Sequence, residues 1–409
     1  MRFIAKLFKR LIWTIVILLI VANVFIVVSG KFYLYKGIAY TYLSGETGPT
    51  IYDLDKFPSS RIKKSKGEHQ WKLNPEINKT QLSKEQQFYF DSLKTKAILV
   101  IKGDEILYER YWDGHTASTL SNSFSAAKTL VSLLVGIAID QKKINSLDDK
   151  VGKYLPPFNS NGKEKITIRH LLMMSSGLDW EESGKNPLSD NAASYYGTDL
   201  YNLVMDQNLI EEPGKRFEYQ SGNSQLLGYI VETSTGMGLN EYAEANIWSK
   251  IGTEEDAFWS LDKVDGDEKA FCCMYASPRD FARLGKLIAQ KGKWENVQVI
   301  SENYMNEMFS NPKMTTSDSE ENYRYGLHIW TYLGGEEPIY YCRGILGQYI
   351  ISIPSKDIVI VRLGSKRGKT IELKENVKPT LEEAYKAGHP EDFFELVKFG
   401  NHVVKGLSK

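Results

Sequence analysis

The chain has 409 residues, of which 42% are hydrophobic and 25% charged, a composition that excludes a disordered chain and by length predicts two or three domains. The 51 lysine and arginine residues balance 51 aspartate and glutamate residues, so the net charge of zero excludes the basic field expected of a nucleic-acid-binding protein. Three cysteines are too few for a disulfide-stapled scaffold.

The N-terminus combines a basic tip with an uncharged apolar run. Residues 11–28 contain no charge, and eighteen residues of helix rise about 27 Å, enough to span the core of a bilayer. Because basic flanks stay in the cytoplasm, we predict a cytoplasmic tip at 1–10, a transmembrane anchor at 11–29 and an extracytoplasmic (periplasmic or external) remainder. A cleaved signal peptide is the alternative, although no Ala-x-Ala site follows. Four cations precede the run, namely Arg2, Lys6, Lys9 and Arg10. They disfavour the interpretation of the run as a buried helix of a soluble protein.

Residues 30–82 are polar and rich in turn-forming residues. They include the basic run Arg61, Lys63, Lys64 and Lys66. We predict a solvated stalk or linker, with attraction of the basic run to a membrane surface as the alternative.

From residue 83 to 409 the pattern predicts one folded domain. Ser83 to Gln86 is typical of a capped helix start, and two apolar runs around Gly103-Asp104 predict a β-hairpin. Helical periodicity dominates residues 123–310. Strand patterns then return, and from Thr380 the chain is helical again; the predicted strands are 97–101, 106–111, 325–332, 338–343, 349–353 and 358–363.

Strands at both ends of this domain and helices between them predict an α+β fold. The sheet should be antiparallel and closed by segments that are distant in sequence, with residues 123–310 as a helical subdomain. A functional site is expected where sheet and helices meet.

The most informative short motif is Ser125-x-x-Lys128. If a helix begins near Ser125, both side chains lie on one face, one turn apart. Burial in the apolar run after Lys128 would lower the pKa of its amine and allow it to take the serine proton. In the alternative interpretation, Ser123 or Ser125 only caps a core helix and the lysine reaches out to solvent.

Two further segments contain candidate catalytic groups. Pro213-Gly214 forms a turn before Phe217 to Tyr219, and a tyrosine there could shuttle a proton in a cleft. Gly344 and Gly347 interrupt a strand-like run and indicate close approach of the backbone, so that the N–H of Ile345 could stabilise an oxyanion. A half-buried tyrosine and a glycine-containing hairpin corner are the structural alternatives.

Together these motifs resemble the serine hydrolases related to class C β-lactamases and penicillin-binding proteins. Ser125-x-x-Lys128, Tyr219-x-Ser221 and the strand from Gly344 to Gln348 occur in that family's order over roughly residues 85 to 370. Supporting matches are HLLMMSSGL at 170–178, PGKRFEY at 213–219 and SPRDFARLG at 277–285. The last strand is most similar to the branch that contains 6-aminohexanoate-dimer hydrolase and related esterases.

The resemblance implies a β-lactamase-like fold and an acyl-enzyme mechanism without a metal or organic cofactor. Ser125 would be the nucleophile, with Lys128 and Tyr219 as proton-transfer groups. The amides of Ser125 and Ile345 would form the oxyanion hole. Gly344, Ser221 and Arg343 are predicted to complete the oxyanion and substrate-binding surface.

Differences from the family pattern bear on the substrate. Cys342-Arg343-Gly344 stands near the place where β-lactamases and D-alanyl-peptidases usually have Lys-Thr-Gly or His-x-Gly, and Ser221 replaces the more usual asparagine. Tyr195 or Tyr196 is a candidate for the extra tyrosine of the nylon-oligomer hydrolase. We therefore expect a membrane-anchored hydrolase of a small amide, ester or peptide.

Three alternatives remain open at the level of sequence: a β-lactamase, a D-alanyl-D-alanine carboxypeptidase, or a catalytically silent envelope-binding module. Other chemistries lack their motifs. Gly-x-Ser-x-Gly, phosphate-binding loops and metal-ligand spacings are absent from the sequence. His170 is predicted to be structural, and Cys272, Cys273 and Cys342 to be buried apolar cysteines.

Overall fold

The computed structural model describes residues 2–67, 70–311, 314–316, 321–373 and 379–406. In chain order the strands are β1 Ser59–Ile62, β2 Lys72–Leu73, β3 Thr95–Lys102, β4 Glu105–Tyr111, β5 Ser121–Asn122, β6 Arg216–Phe217, β7 Ala257–Ser260, β8 Met274–Ala276, β9 Lys293–Trp294, β10 Val297–Gln298, β11 Thr315–Thr316, β12 Trp330–Tyr332, β13 Ile339–Gly344, β14 Gln348–Ile353 and β15 Ile358–Gly364. The α-helices are α1 Arg2–Ser29, α2 Tyr33–Tyr40, α3 Lys84–Ser92, α4 Ala127–Asp140, α5 Ile168–Leu172, α6 Asp190–Tyr196, α7 Leu200–Met205, α8 Ser221–Thr235, α9 Leu239–Ala243, α10 Pro278–Ala289, α11 Glu302–Phe309, α12 Leu381–Lys386 and α13 Glu391–Gly406.

The central sheet has seven strands in the order β12-β13-β14-β15-β3-β4-β2. Its neighbours are antiparallel except for the short pair β2 and β4. Strand β15 pairs with β3, with Ile360 opposite Val100, so the predicted closure by distant segments is confirmed. The predicted hairpin is also confirmed as β3 and β4.

Helices cover both faces of this sheet. Gly285 of α10 lies against Val359, whereas Gly400 of α13 lies against Ile360, the next residue of β15. Successive side chains of a strand point to opposite faces, so α10 and α13 pack on opposite sides. This explains why every residue of β15 is buried and why its sequence is continuously apolar around Arg362.

Residues 123–310 form the expected helical region, with α4 and α8 packed in its centre. Two features differ from the prediction. A small sheet of order β1-β7-β8-β5 lies beside these helices. The strand expected at 325–332 is shortened to β12, because His328 adopts a left-handed conformation with φ 56° and its amide donates to the carbonyl of Leu172.

The structure contradicts the solvated stalk expected at residues 30–82. Strand β1 pairs with β7 and β2 pairs with β4, so this segment belongs to both sheets. Ile51 and Phe57 are buried in a cluster with residues of the helical region. The basic run lies on an acidic loop, where Arg61 Nε and the Lys64 amide both donate to Asp256. The folded unit therefore begins well before residue 83.

Helix α1 projects from this unit. Residues Phe3–Ser29 are long and apolar enough to cross a membrane, and only 6% of their most apolar window is buried. Gly30, with φ 69°, turns the chain into α2. The Tyr35 hydroxyl donates to Asn23 Oδ1 at 2.7 Å, which ties the two helices together.

Candidate active site

Ser125 lies at the junction between the two sheets and the central helices. A single 3₁₀ turn, Phe124–Ala126, leads directly into α4. Asn122 Oδ1 accepts a hydrogen bond from the Phe124 amide, and the Ser123 amide donates to the carbonyl of Met274. These bonds fix the entry to α4, so that the Ser125 hydroxyl stands at a helix N-terminus as its spacing predicted.

Lys128 follows one turn later, and its Nζ has three oxygen partners. It lies 3.2 Å from Ser125 Oγ, 3.0 Å from Ser221 Oγ and 2.7 Å from the carbonyl of Phe271. The side chain is 1% exposed, and this burial lowers the pKa of the Lys128 amine to about 8, while the charge of Glu182 opposes the shift. At pH 7 roughly a tenth of the molecules then hold a neutral amine that can accept the serine proton.

Glu182 holds Ser221 at the first turn of α8. The Ser221 amide donates to Glu182 Oε2 at 2.7 Å and its hydroxyl donates to Oε1 at 2.8 Å. Trp180 Nε1 also donates to Oε2. The carboxylate thus caps a helix N-terminus, where negative charge is favoured. Sequence reasoning missed Glu182, because the residue that it caps, Ser221, lies 39 residues away and leaves no local capping pattern.

Tyr219 completes the group around the nucleophile. Its ring stacks on Trp330 with centroids 5.7 Å apart, and Lys128 Nζ lies 5.2 Å from the ring centre. Ser125 is one of the groups near Tyr219 that act on the pKa of its phenol, and it opposes the rise caused by burial. Burial, together with the charge of Glu182, raises the pKa of Tyr219 above its ordinary value. The phenol is therefore a proton donor at neutral pH.

The backbone of β13 approaches the nucleophile closely, as its glycines predicted. A Cβ at Gly344 would collide with the carbonyl oxygen of Ser123. The next residue, Ile345, is 44% exposed and lines the same cavity as Ser125.

Arg343 belongs to the same strand but has partners outside the cavity. Its guanidinium lies 3.3 Å from the ring centre of Trp330, and Nη1 donates to the carbonyl of Gly388. The structure thus brings Ser125, Lys128, Tyr219 and Ser221 together and places Arg343 behind the aromatic layer that supports Tyr219.

Residues 91–378 match the family model described as Beta-lactamase, which is more than half of the chain. The chain belongs to the beta-lactamase family. The family and fold expected from the sequence motifs are thereby confirmed, and the chain is a serine hydrolase related to the amide, ester and peptide hydrolases of that family.

Relatives within the beta-lactamase family are similar over most of the chain. The 6-aminohexanoate-dimer hydrolase of Paenarthrobacter ureafaciens is 26% identical over 287 residues, covering 66% of this chain and 72% of the relative. A candidate 6-aminohexanoate-dimer hydrolase structure from Bacillus anthracis has a TM-score of 0.70 at 20% identity, covering 86% of this chain and 93% of that one. A family VIII carboxylesterase has a TM-score of 0.60 at 16% identity, covering 82% and 99%.

In this beta-lactamase-family chain a cavity of about 290 Å³ opens beside the nucleophile. Its lining includes Ser125, Ser221, Glu182 and Ile345. Tyr195 and Tyr196, the candidates for an extra active-site tyrosine, both line it, and Tyr195 is almost fully buried. Burial raises the pKa of Tyr195 well above its ordinary value.

The cysteines differ in part from the prediction of buried thiols. Cys272 and Cys273 are buried but joined to each other by a disulfide, and Cys272 lines the cavity. Cys342 is a free, buried thiol whose pKa burial raises to about 12. Among the described residues, no cluster of three or more histidine, cysteine, aspartate or glutamate side chains could hold a metal ion.

Proposed function

We propose that this protein is a membrane-anchored, extracytoplasmic serine hydrolase that cleaves an amide or ester through a Ser125 acyl-enzyme. The observation that supports this best is the fully buried Lys128 amine 3.2 Å from Ser125 Oγ. A buried amine of lowered pKa beside a serine is a base matched to that nucleophile. A structural lysine would not need this partner.

Acylation follows from the positions of three groups. Neutral Lys128 takes the Ser125 proton while Oγ attacks the substrate carbonyl. The developing oxyanion accepts hydrogen bonds from the amides of Ser125 and Ile345. The phenol of Tyr219 then donates its proton to the leaving alcohol or amine, and protonated Lys128 restores the phenol proton through a water.

Deacylation reverses these proton transfers. A water attacks the acyl-enzyme as neutral Lys128 accepts its proton, and protonated Lys128 then returns a proton to Ser125 Oγ as the carboxylic acid is released. In this mechanism Glu182 is a positioning residue, because its carboxylate holds Ser221, whose hydroxyl oxygen accepts from Lys128.

The surroundings of Arg343 favour an amide or ester without a free carboxylate over one that carries a carboxylate. Its guanidinium is already engaged by Trp330 and by the carbonyl of Gly388. β-Lactams and D-alanyl peptides, the alternative substrates, carry such a carboxylate. A fluorescent penicillin should therefore fail to label the protein, and saturable labelling would favour the alternative.

Turnover of an ester and amide panel tests the proposal. Wild-type protein should hydrolyse at least one ester, and Ser125→Ala should lose this turnover at least a thousandfold. The exposed Ser118 provides a matched control, and Ser118→Ala should retain wild-type turnover. Equal rates for wild type and Ser125→Ala would contradict the proposal, and inactivity across the panel would favour a binding module.

A further inference from the structure

Part of the wall of the active-site cavity is formed by the segment that directly follows the apolar helix. Leu34, Ile38, Tyr42 and Pro49 line the same cavity as Ser125. Helix α1 ends at Ser29 and α2 begins at Tyr33, so only three residues separate the membrane-length helix from this wall.

Helix α2 is held in this place by contacts with the hydrolase domain. The Tyr33 hydroxyl donates to the carbonyl of Pro187, and Lys56 Nζ donates to the carbonyl of Tyr40. Gly37 lies against the ring of Tyr196, where a Cβ would be 3.5 Å from Cδ2. These contacts hold α2 in a fixed position as part of the cavity wall.

The outer side of the same segment exposes large apolar side chains. Those more than 40% exposed are Phe32, Tyr35, Ile38, Tyr42 and Leu43. Aromatic and aliphatic residues next to a membrane-length helix are typical of the interface between lipid and water. Because Ile38 and Tyr42 also line the cavity, the apolar surface continues from this interface towards Ser125.

The cavity also has polar groups along one side. Lys185, Asn186 and Asn191 line it near the loop that ends in α6. An occupant with both an apolar chain and a polar group would satisfy both kinds of surface, whereas a small polar substrate would leave the α2 wall uncovered.

We propose that the substrate is an amphiphilic ester or amide drawn from the outer leaflet of the membrane, with its hydrocarbon chain along α2 and its scissile carbonyl at Ser125. The inference rests on the proposed function, since it takes Ser125 as the nucleophile and α1 as a retained anchor. Ser125 Oγ bonds to the carbonyl carbon, the alcohol or amine leaves with a proton, and water releases the acyl group as a carboxylic acid.

Chain-length preference of the full-length protein in nanodiscs tests this substrate class. With p-nitrophenyl octanoate and acetate, kcat/KM should be at least tenfold higher for octanoate. Ile38→Asp places a charge in the apolar wall and should lower the octanoate-to-acetate ratio at least fivefold. Ile38→Trp narrows the cavity at the same wall and should also lower the octanoate-to-acetate ratio. Leu381→Asp is the matched control at an exposed leucine outside the cavity and should keep the wild-type ratio.

The outcomes separate the two proposals. Turnover that survives in Ser125→Ala overturns the proposed function. Ser125-dependent turnover without an octanoate preference, or with the same ratio in Ile38→Asp and Ile38→Trp as in wild type, overturns the inference alone, provided that thermal melting shows folded variants. A fluorogenic long-chain ester embedded in the nanodisc bilayer should also be hydrolysed. Failure to hydrolyse this ester would overturn the outer leaflet as the source of the substrate.

Discussion

Lys128 is the residue whose protonation state controls the proposed chemistry. Its pKa is lowered from 10.5 to about 8 by burial, so the amine is mostly protonated below pH 8 and mostly neutral above it. Since only the neutral amine can accept the Ser125 proton, kcat/KM should rise through a limb near pH 8. Removal of the Glu182 charge in Glu182→Gln should move this limb to lower pH, because that charge now raises the Lys128 pKa. The kcat/KM profile of an ester from pH 5 to 10 measures both effects.

The neighbouring Glu181 is the control for this experiment. Glu181 also carries a carboxylate in the same loop, but it accepts from Asn186 instead of Ser221. Glu181→Gln should leave the limb in place. A limb that stays fixed or moves to higher pH in Glu182→Gln would contradict the role assigned to the Glu182 charge.

At the scale of single residues, the sequence predicted only those candidate catalytic groups that lie within short motifs. Ser125 and Lys128 are three residues apart on one helical turn, which periodicity alone can place on one face. Glu182 and the Phe271 carbonyl reach Lys128 or its partner only through folding, and their types and spacing are common in any sequence. The sequence motif predicted a substrate-binding role for Arg343, but the direction of its side chain depends on Trp330 and Gly388, which are not part of the motif.

Strand β13 is the element that positions the predicted oxyanion donor, and Gly344 sets how closely it approaches α4. The backbone of Gly344 is extended, with φ −114° and ψ 161°, so its conformation allows alanine. The main obstacle to alanine is the clash of its Cβ with the carbonyl oxygen of Ser123. Gly344→Ala should destabilise the fold by about 1–3 kcal/mol through overpacking and slow acylation of Ser125. Urea unfolding and the rate of acylation by an ester measure the two effects.

Gly184 is the matched control, since a Cβ there would meet no atom within 4 Å. Gly184→Ala should change the free energy of unfolding by less than about 0.5 kcal/mol. A Gly344→Ala variant with wild-type stability and acylation would show that the close approach of β13 is not needed.

Among the elements, long periodic runs were predictable and short pairings were not. The hairpin β3–β4, the strands β13 to β15 and the capped start of α3 were recovered from alternation and capping patterns. Strands β1 and β2 have four and two residues, and each exists because a distant strand pairs with it. That pairing is invisible in a polar sequence, which is why the segment resembled a stalk.

At the scale of the whole molecule, Arg362 joins segments from both ends of the folded unit. It is fully buried in β15 and donates to the carbonyls of Leu93 and Gly347 and, at 3.5 Å, to Asp392 of α13. Arg362→Met would leave the Asp392 carboxylate buried without its cation. We expect a loss of about 3–5 kcal/mol in the free energy of unfolding, measured in urea.

An exposed ion pair provides the comparison for this loss of unfolding free energy. Lys79 and Glu76 are both more than 40% exposed, and Lys79→Met should cost less than about 1 kcal/mol. Equal, small losses for Arg362→Met and Lys79→Met would mean that the buried pair does not hold the two ends of the fold together.

The N-terminal helix is long and apolar enough to cross a membrane. Because α2 forms a wall of the cavity and is bonded to α1 through Tyr35 and Asn23, we expect α1 to be retained as an anchor. After expression in a bacterium, the mature protein should resist extraction from membranes by carbonate and keep its N-terminal residues. A soluble protein whose first residue lies near 30 would show instead that α1 is a cleaved signal.

Covalent modification of the nucleophile tests the proposed serine mechanism most directly. The full-length protein should be treated with a fluorophosphonate and digested, and the modified peptide identified by mass spectrometry. We expect a single adduct on Ser125, formed faster as the pH rises through 8 and absent from Ser125→Ala. An adduct on another residue, or undiminished modification of Ser125→Ala, would contradict this mechanism.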